Sequence, residues 1–305
     1  DRKATYKPYA QAIPGSFAIE KLDKAPCRMA CPANLNVQGY VQMVKEGKYR
    51  EAIEIIMRDL PLPGILGRVC PHPCEKSCRR LEVDEAISIR ELKRVAADHT
   101  DLSDIPVPDV DPKDDKVAIV GSGPAGLSAA YFLALQGYKV SVYEAMPEAG
   151  GMMRYGIPEH RLPRSVIDRE INNLKRYGIE VHTNTAIGRD ITLEELKAHG
   201  ANAVFLGSGA WKGLRLRIQG EEAEGVYDVT SFLRNVHIGD LKKLEGKAVI
   251  IGGGHSALDG ARVALRLGAD EVHIIYRRSL SAVSYTHLRA HETVLDLVCR
   301  LLLEK

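Results

Sequence analysis

Apolar residues fall at helical spacing in three early runs, Val37–Val44, Tyr49–Leu60 and Ile87–Ala97. They predict three helices, the second ended by Pro61 and Pro63. Thr100–Asp115 is dense in Asp and carries Pro at 106, 108 and 112, which predicts an extended linker. At Lys116 the pattern changes. Strand Lys116–Val120, helix Leu127–Gln136 and strand Lys139–Glu144 form a βαβ unit. Helix Ser165–Tyr177, strand Glu180–Thr183, helix Leu193–Ala198 and strand Ala203–Leu206 follow. A second βαβ unit runs through Lys247–Ile251, Ser256–Leu267 and Glu271–Tyr276. The fold class is therefore α/β. An all-helical N-terminal domain with its linker (1–110) precedes two Rossmann-like dinucleotide-binding domains (111–210 and 211–283).

Residues 284–305, SYTHLRAHETVLDLVCRLLLEK, break this rhythm and offer no further strand. They closely resemble the peptide made when sequencing-adapter DNA is translated at the broken end of an assembled read. The segment, with Cys299, is read as non-native and set aside. The chain opens on Asp1 rather than Met, as a fragment edge would.

Composition changes this picture little. Hydrophobic residues make 45% and charged residues 27%, an ordinary globular mix. A net charge of +2 gives no bias toward nucleic acid or an anionic membrane. No apolar run reaches the ~18 residues a spanning helix needs, and no secretory signal opens the chain. The expected setting is cytoplasmic and reducing, where clustered cysteines bind metal more often than they form disulfides.

Two glycine loops carry the candidate chemistry. Gly121-Ser122-Gly123-Pro124-Ala125-Gly126-Leu127 follows a strand and opens a helix, with Glu144 at the end of the next strand. That is the setting a dinucleotide fingerprint requires. Gly121 permits the tight turn, Gly123 lets a pyrophosphate approach the backbone, and Gly126 lets helix and strand pack. The helix N-terminus supplies free N–H groups for phosphates, and Glu144 is placed for ribose hydroxyls. Gly150-Gly151 lets the chain pass close to a flavin. The second loop, Gly252-Gly253-Gly254-His255-Ser256-Ala257, precedes a strand that ends Tyr276-Arg277-Arg278 with no acid at its tip. Arginine there can fork onto a 2′-phosphate, which predicts NADPH over NADH. His255 is given no catalytic role.

The cysteines run Cys27-x3-Cys31-Pro and Cys70-Pro-x2-Cys74-x3-Cys78. Cys-Pro recurs in ferredoxin-type runs, and this pattern favours an iron–sulfur cluster. Structural zinc is the competing reading, but its usual C-x2-C knuckles do not occur here. Disulfides are disfavoured by the expected compartment. Five cysteines complete one four-iron cluster and leave one over, and the spacing leaves open which four ligate.

Taken together, the chain resembles the small (beta) subunit of NADPH-dependent glutamate synthase and the similar N-terminal half of dihydropyrimidine dehydrogenase. The resemblance runs from about Phe17 to about Leu280. It rests on the cysteine motifs, GRVCPHPCEKSC, VAIVGSGPAGLSAA, GGMMRYGIPEHRLP, GSGAWKG and GGGHSALDGARVALRLGA with YRR. It implies a helical [4Fe-4S] domain and an FAD domain interrupted by an NADPH domain. NADPH would reduce the flavin, which would release single electrons to the cluster and on to a larger partner subunit or domain. By position, Gly123 to Leu127, Glu144, Gly151, Met152 and Arg161 match flavin contacts, and Gly252 to His255, Arg277 and Arg278 match NADPH contacts.

Four departures qualify the resemblance. The family holds two clusters and has two more cysteines shortly before Cys27, where this chain has none. The family's Glu or Gln ligand falls at Lys93, and an ammonium is a poor iron ligand, so one cluster is expected. His255 replaces the more usual Asp or Asn, and the family continues well past Leu280, so a C-terminal truncation is expected. The first reading is an NADPH-dependent flavin and iron–sulfur oxidoreductase module. The rivals are a non-catalytic electron-relay or docking subunit, which the intact glycines and Glu144 argue against, and an inactive truncated fragment.

Overall fold

The computed structural model describes residues 24–276 and the backbone of residues 297–300. The chain divides into two compact units, Asp1–Ile105 and Pro106–Lys305.

The first unit is helical. Its helices are α1 (Pro26–Met29), α2 (Val37–Lys45), α3 (Tyr49–Met57), α4 (Pro63–Val69), α5 (Pro73–Lys76) and α6 (Ile89–Asp98), with 3₁₀ turns at Arg79–Glu82 and Leu102–Asp104. The three predicted runs appear as α2, α3 and α6. Helix α3 stops at Met57, before the prolines, and Pro63 opens α4 instead of ending a helix. Proline tolerates the first turn because its missing N–H would have no intrahelical partner there. The core is built from Tyr40, Ile53, Ile56, Leu62 and Ile65, each essentially fully buried. The Tyr40 hydroxyl donates to the Ile89 carbonyl at 3.1 Å and ties α2 to the start of α6. Helices α4 and α6 approach so closely that a Cβ on Gly67 would meet Arg94 Cα at 2.8 Å.

The second unit holds two parallel sheets. The first, in order β3-β2-β1-β4, contains β1 (Lys116–Val120), β2 (Lys139–Tyr143), β3 (Glu180–His182) and β4 (Ala201–Leu206). Lys116 pairs with Lys139 and Val120 with Tyr143, so β1 and β2 end side by side. Val117, Ala118 and Ile119 are all buried, as expected of a parallel strand covered on both faces. Helices α7 (Pro124–Ala134), α8 (Met152–Tyr155), α9 (Arg164–Lys175) and α10 (Leu193–Ala198) accompany this sheet. Helix α10 opens on a capping box between Thr192 and Glu195.

Helix α11 (Val229–Ile238) leads to the second sheet, of β5 (Lys247–Ile251), β6 (Glu271–Ile275) and β7 (Leu297–Arg300), with helix α12 (His255–Arg266) between β5 and β6. Leu258, Ala261 and Ala264 of α12 pack with Val272 and Ile274 of β6. Strand β7 falls inside the segment read as strandless. It pairs parallel to β6, from Val272 opposite Leu297 to Ile275 opposite Arg300. The other residues of that segment lie outside the described ones. Helices α1, α4, α5, α8 and α11 lie outside the predicted runs, and α1, α5 and α8 have four residues each, too few to show a period.

Candidate functional site

At the first loop the tips of the strands bring the glycines together. Gly121 N–H donates to Tyr143 O and Gly207 N–H to Val120 O, each at 2.8 Å. Gly121 has φ +97° and a Cβ there would lie 2.5 Å from Gly207 O. At Gly126 a Cβ would lie 1.9 Å from Gly121 O, which is why helix and strand can pack only without one. Gly151 has φ +52° and approaches Gly123 Cα to 2.7 Å by the same measure. Gly123 differs from these three. It caps α7, and nothing lies within 4 Å of where its Cβ would stand.

Glu144 is 4% exposed, and its role is partly internal. Its Oε2 accepts from both the N–H and the hydroxyl of Ser122, and its Oε1 accepts from Met146 N–H at 2.9 Å. The Ser122 hydroxyl in turn accepts from Gly150 N–H at 3.0 Å. The acid thus ties the tip of β2 to the phosphate loop and, through Ser122, to the second glycine pair. Three of about four lone-pair sites are occupied, which leaves one for a ligand hydroxyl. Pro124 and Ala125 are exposed at the first turn of α7. Met152 starts α8 beside the glycine pair. Leu127 is fully buried and its N–H donates to Gly123 O, so the core holds its side chain and only its backbone borders the loop.

The second loop repeats the arrangement. Gly252 has φ +132° and its N–H donates to Ile275 O at 2.8 Å, which aligns the tips of β5 and β6. Gly253 packs against the Tyr276 ring, while Gly254 caps α12 and has nothing within 4 Å of a built Cβ. His255 is exposed at the first position of that helix. Arg277 and Arg278 follow Tyr276 and lie outside the described residues. Two residues that the sequence reading did not single out matter here. Asp259, 5% exposed on the second turn of α12, takes an ion pair from Arg161. Burial raises its carboxyl, and Arg161 opposes that shift. Arg154, 4% exposed, donates to Ala149 O at 2.7 Å and pairs with Asp168. The one acid inside the stretch GGGHSALDG is the available signal for Asp259.

In the helical unit the five cysteines are free thiols in one neighbourhood. Cys74 lies within electrostatic reach of Cys70 and Cys31, and Cys27 of Cys78 and Cys31. Burial pushes the Cys74 thiol up to about 11, with Cys70 and Glu75 adding to the shift. Burial also raises Cys27. Among the described residues no three ligands converge as they would on one metal ion. A four-iron cluster would take each thiolate on a different iron, so its ligands would stand farther apart than those of one ion. The donor set suits such a cluster: all five groups are sulfur, the ligand type of iron–sulfur centres. His72 N–H points at Cys70 Sγ at 3.4 Å, a contact of the kind that tunes a metal-bound sulfur.

Both glycine cradles suit dinucleotides, because each keeps one open glycine at a helix N-terminus where phosphates bind. Among the described residues no helix is long and apolar enough to cross a membrane.

Comparison with known proteins agrees. Residues 19–105 match the family "Dihydropyrimidine dehydrogenase domain II, 4Fe-4S cluster", and residues 115–295 match "Pyridine nucleotide-disulphide oxidoreductase". The chain is 44% identical to the NADPH-Fe(3+) oxidoreductase subunit beta of Geobacter sulfurreducens, over 84% of this chain and 39% of that protein. It is 41% identical to the NADP(+)-dependent formate dehydrogenase subunit beta of Moorella thermoacetica, over 90% and 41%. It is 36% identical to the glutamate synthase [NADPH] small chain of Bacillus subtilis, over 80% and 52%. The chain thus spans 39% to 52% of the length of these relatives. By these matches the chain belongs to the pyridine nucleotide-disulphide oxidoreductase family, with an N-terminal segment similar to the four-iron cluster domain of dihydropyrimidine dehydrogenase.

Proposed function

We propose that the chain is the electron-entry module of an NADPH-dependent oxidoreductase, with FAD at the first glycine loop, NADPH at the second and one [4Fe-4S] cluster among the N-terminal cysteines. The observation that carries this is the pairing of Gly123 and Gly254. Each caps a helix behind a parallel strand and alone in its loop faces open space on both counts of packing and backbone. When bound, the flavin accepts a hydride from the nicotinamide and gives up electrons singly, which couples a two-electron donor to a one-electron carrier.

The chain's residues bind and orient. The N–H groups at the start of α7 and α12 hold phosphates. Glu144 orders the first loop through Ser122 and keeps one acceptor site for a ribose hydroxyl. Four of Cys27, Cys31, Cys70, Cys74 and Cys78 supply the ligands, and their thiols must lose their protons to ligate iron. Arg277 and Arg278 take the 2′-phosphate and set the preference for NADPH. The electrons leave to a larger partner subunit or domain, a reading supported by relatives named as beta subunits and a small chain.

The test is anaerobic iron, acid-labile sulfide and flavin analysis of the purified protein, with an absorption spectrum before and after NADPH. About four irons and four sulfides with a flavin that NADPH bleaches are expected. About eight irons would overturn the single cluster. Zinc without sulfide or flavin would overturn the oxidoreductase reading. Replacing Arg277 and Arg278 by Ala should reduce the preference for NADPH over NADH by roughly tenfold to a hundredfold, the worth of one charge-assisted contact.

A further inference from the structure

Helix α6 carries three cations, and two of them are matched. Arg90 pairs with Glu91 at 2.7 Å, and Arg94 reaches Asp98 at 3.4 Å. Lys93 is different. It shares the inner face of the helix with Ile89, Ala96 and Ala97 and is 5% exposed. Among the described residues it makes no hydrogen bond or salt bridge. Arg90 N–H donates to Glu75 Oε1 at 2.8 Å and the Arg90 guanidinium lies 3.3 Å from His72 Nδ1, which sets the first turn of α6 against the Cys70–Cys74 stretch, and the Lys93 ammonium acts electrostatically on Cys74.

A lysine this little exposed keeps few waters around its side chain, and opposite charge beside it offsets part of that cost. Cys74 can supply such charge as a thiolate, the form that binds iron, beside the Glu75 carboxylate that already accepts from Arg90 N–H at 2.8 Å. We propose that Lys93 is the fixed counter-charge of the N-terminal iron–sulfur cluster: a positioning residue that stays off the irons, offsets thiolate charge on the Cys74 side, and raises the reduction potential. Reduction adds one electron and makes the site one unit more negative, so a fixed cation nearby favours the reduced state. The inference rests on the reading that this unit holds a [4Fe-4S] cluster.

The experiment is a spectropotentiometric titration of the purified protein and its Lys93 variants, with iron and sulfide assayed on each sample. Lys93→Arg should keep the wild-type midpoint. Lys93→Met should shift the reduced-to-oxidised ratio at fixed potential at least tenfold toward the oxidised form, about 59 mV for one electron. Wild-type protein without sulfide would sink the cluster reading and the inference with it. A Met variant with full iron and sulfide and an unmoved midpoint would overturn the counter-charge alone. Should Met fail to load, Lys93→Leu takes its place as the neutral variant. If both neutral variants stay empty while Arg loads, the charge is needed to hold the cluster, and the inference stands. If Arg also stays empty or shifts as far as Met, the side chain acts by packing and the inference is overturned.

Discussion

Arg161 donates to Asp259 across the two nucleotide-binding sheets: the first stands in the turn before α9 and the second on α12. The family resemblance matches Arg161 to a flavin contact, and the structure gives its guanidinium a partner on α12, the helix behind the second glycine loop. The side chains are 18% and 7% exposed, so the pair is shielded from solvent. Breaking one partner leaves the other charge buried. Asp259→Asn should destabilise this unit by about 3 kcal/mol, the low end for a buried pair. The double variant Arg161→Met, Asp259→Leu should recover most of that loss. Urea unfolding of Arg161→Met, Asp259→Leu and the double variant gives the cycle, and simple additivity would show the pair to be uncoupled.

Gly123 and Gly126 predict opposite outcomes for the same change. Gly126→Ala drives a Cβ to 1.9 Å from Gly121 O and should cost about 3 kcal/mol or more. Gly123→Ala meets nothing within 4 Å, so stability should change by less than about 1 kcal/mol while bound flavin falls. Denaturation midpoints alongside flavin content separate the two. A Gly123→Ala protein with full flavin would remove the phosphate cradle from that position.

Glu144 should matter even before a nucleotide binds. Its carboxylate accepts from two Ser122 donors and from Met146 N–H, and an amide would turn a donor toward one of them. Glu144→Gln should therefore cost the flavin-free protein about 1–3 kcal/mol. Thermal unfolding of flavin-free samples checks this, and unchanged stability would limit Glu144 to a ligand contact.

His237 makes the second unit sensitive to acid. Burial, with Arg164 beside it at 2.7 Å, lowers the imidazole from 6.5 to about 4. The unfolded chain therefore binds the proton more readily. Stability from this group is complete above about 6.5 and is lost as pH falls toward 4. The melting temperature should drop across that window, and His237→Gln should flatten the drop. An equal slope in both proteins would assign the acid response elsewhere.

Local pattern accounts for much of the fold. Lys116–Val120, Leu193–Ala198 and Lys247–Ile251 are placed to the residue by periodicity and flanking glycines, and both cradles were readable because a phosphate loop is a contiguous stretch of chain. Pro63 misled that reading, since a proline can open a helix as well as end one. The sequence by itself determined the two βαβ units, the glycine geometry and the cysteine donor set, all of which depend on neighbours within a few positions. Only the tertiary structure decided that Arg161 meets Asp259, 98 residues away, that Glu144 turns inward to Ser122, and that Lys93 lies buried beside Cys74. A charged side chain looks the same in sequence whether it faces water or the core, and the packing of distant elements decides which.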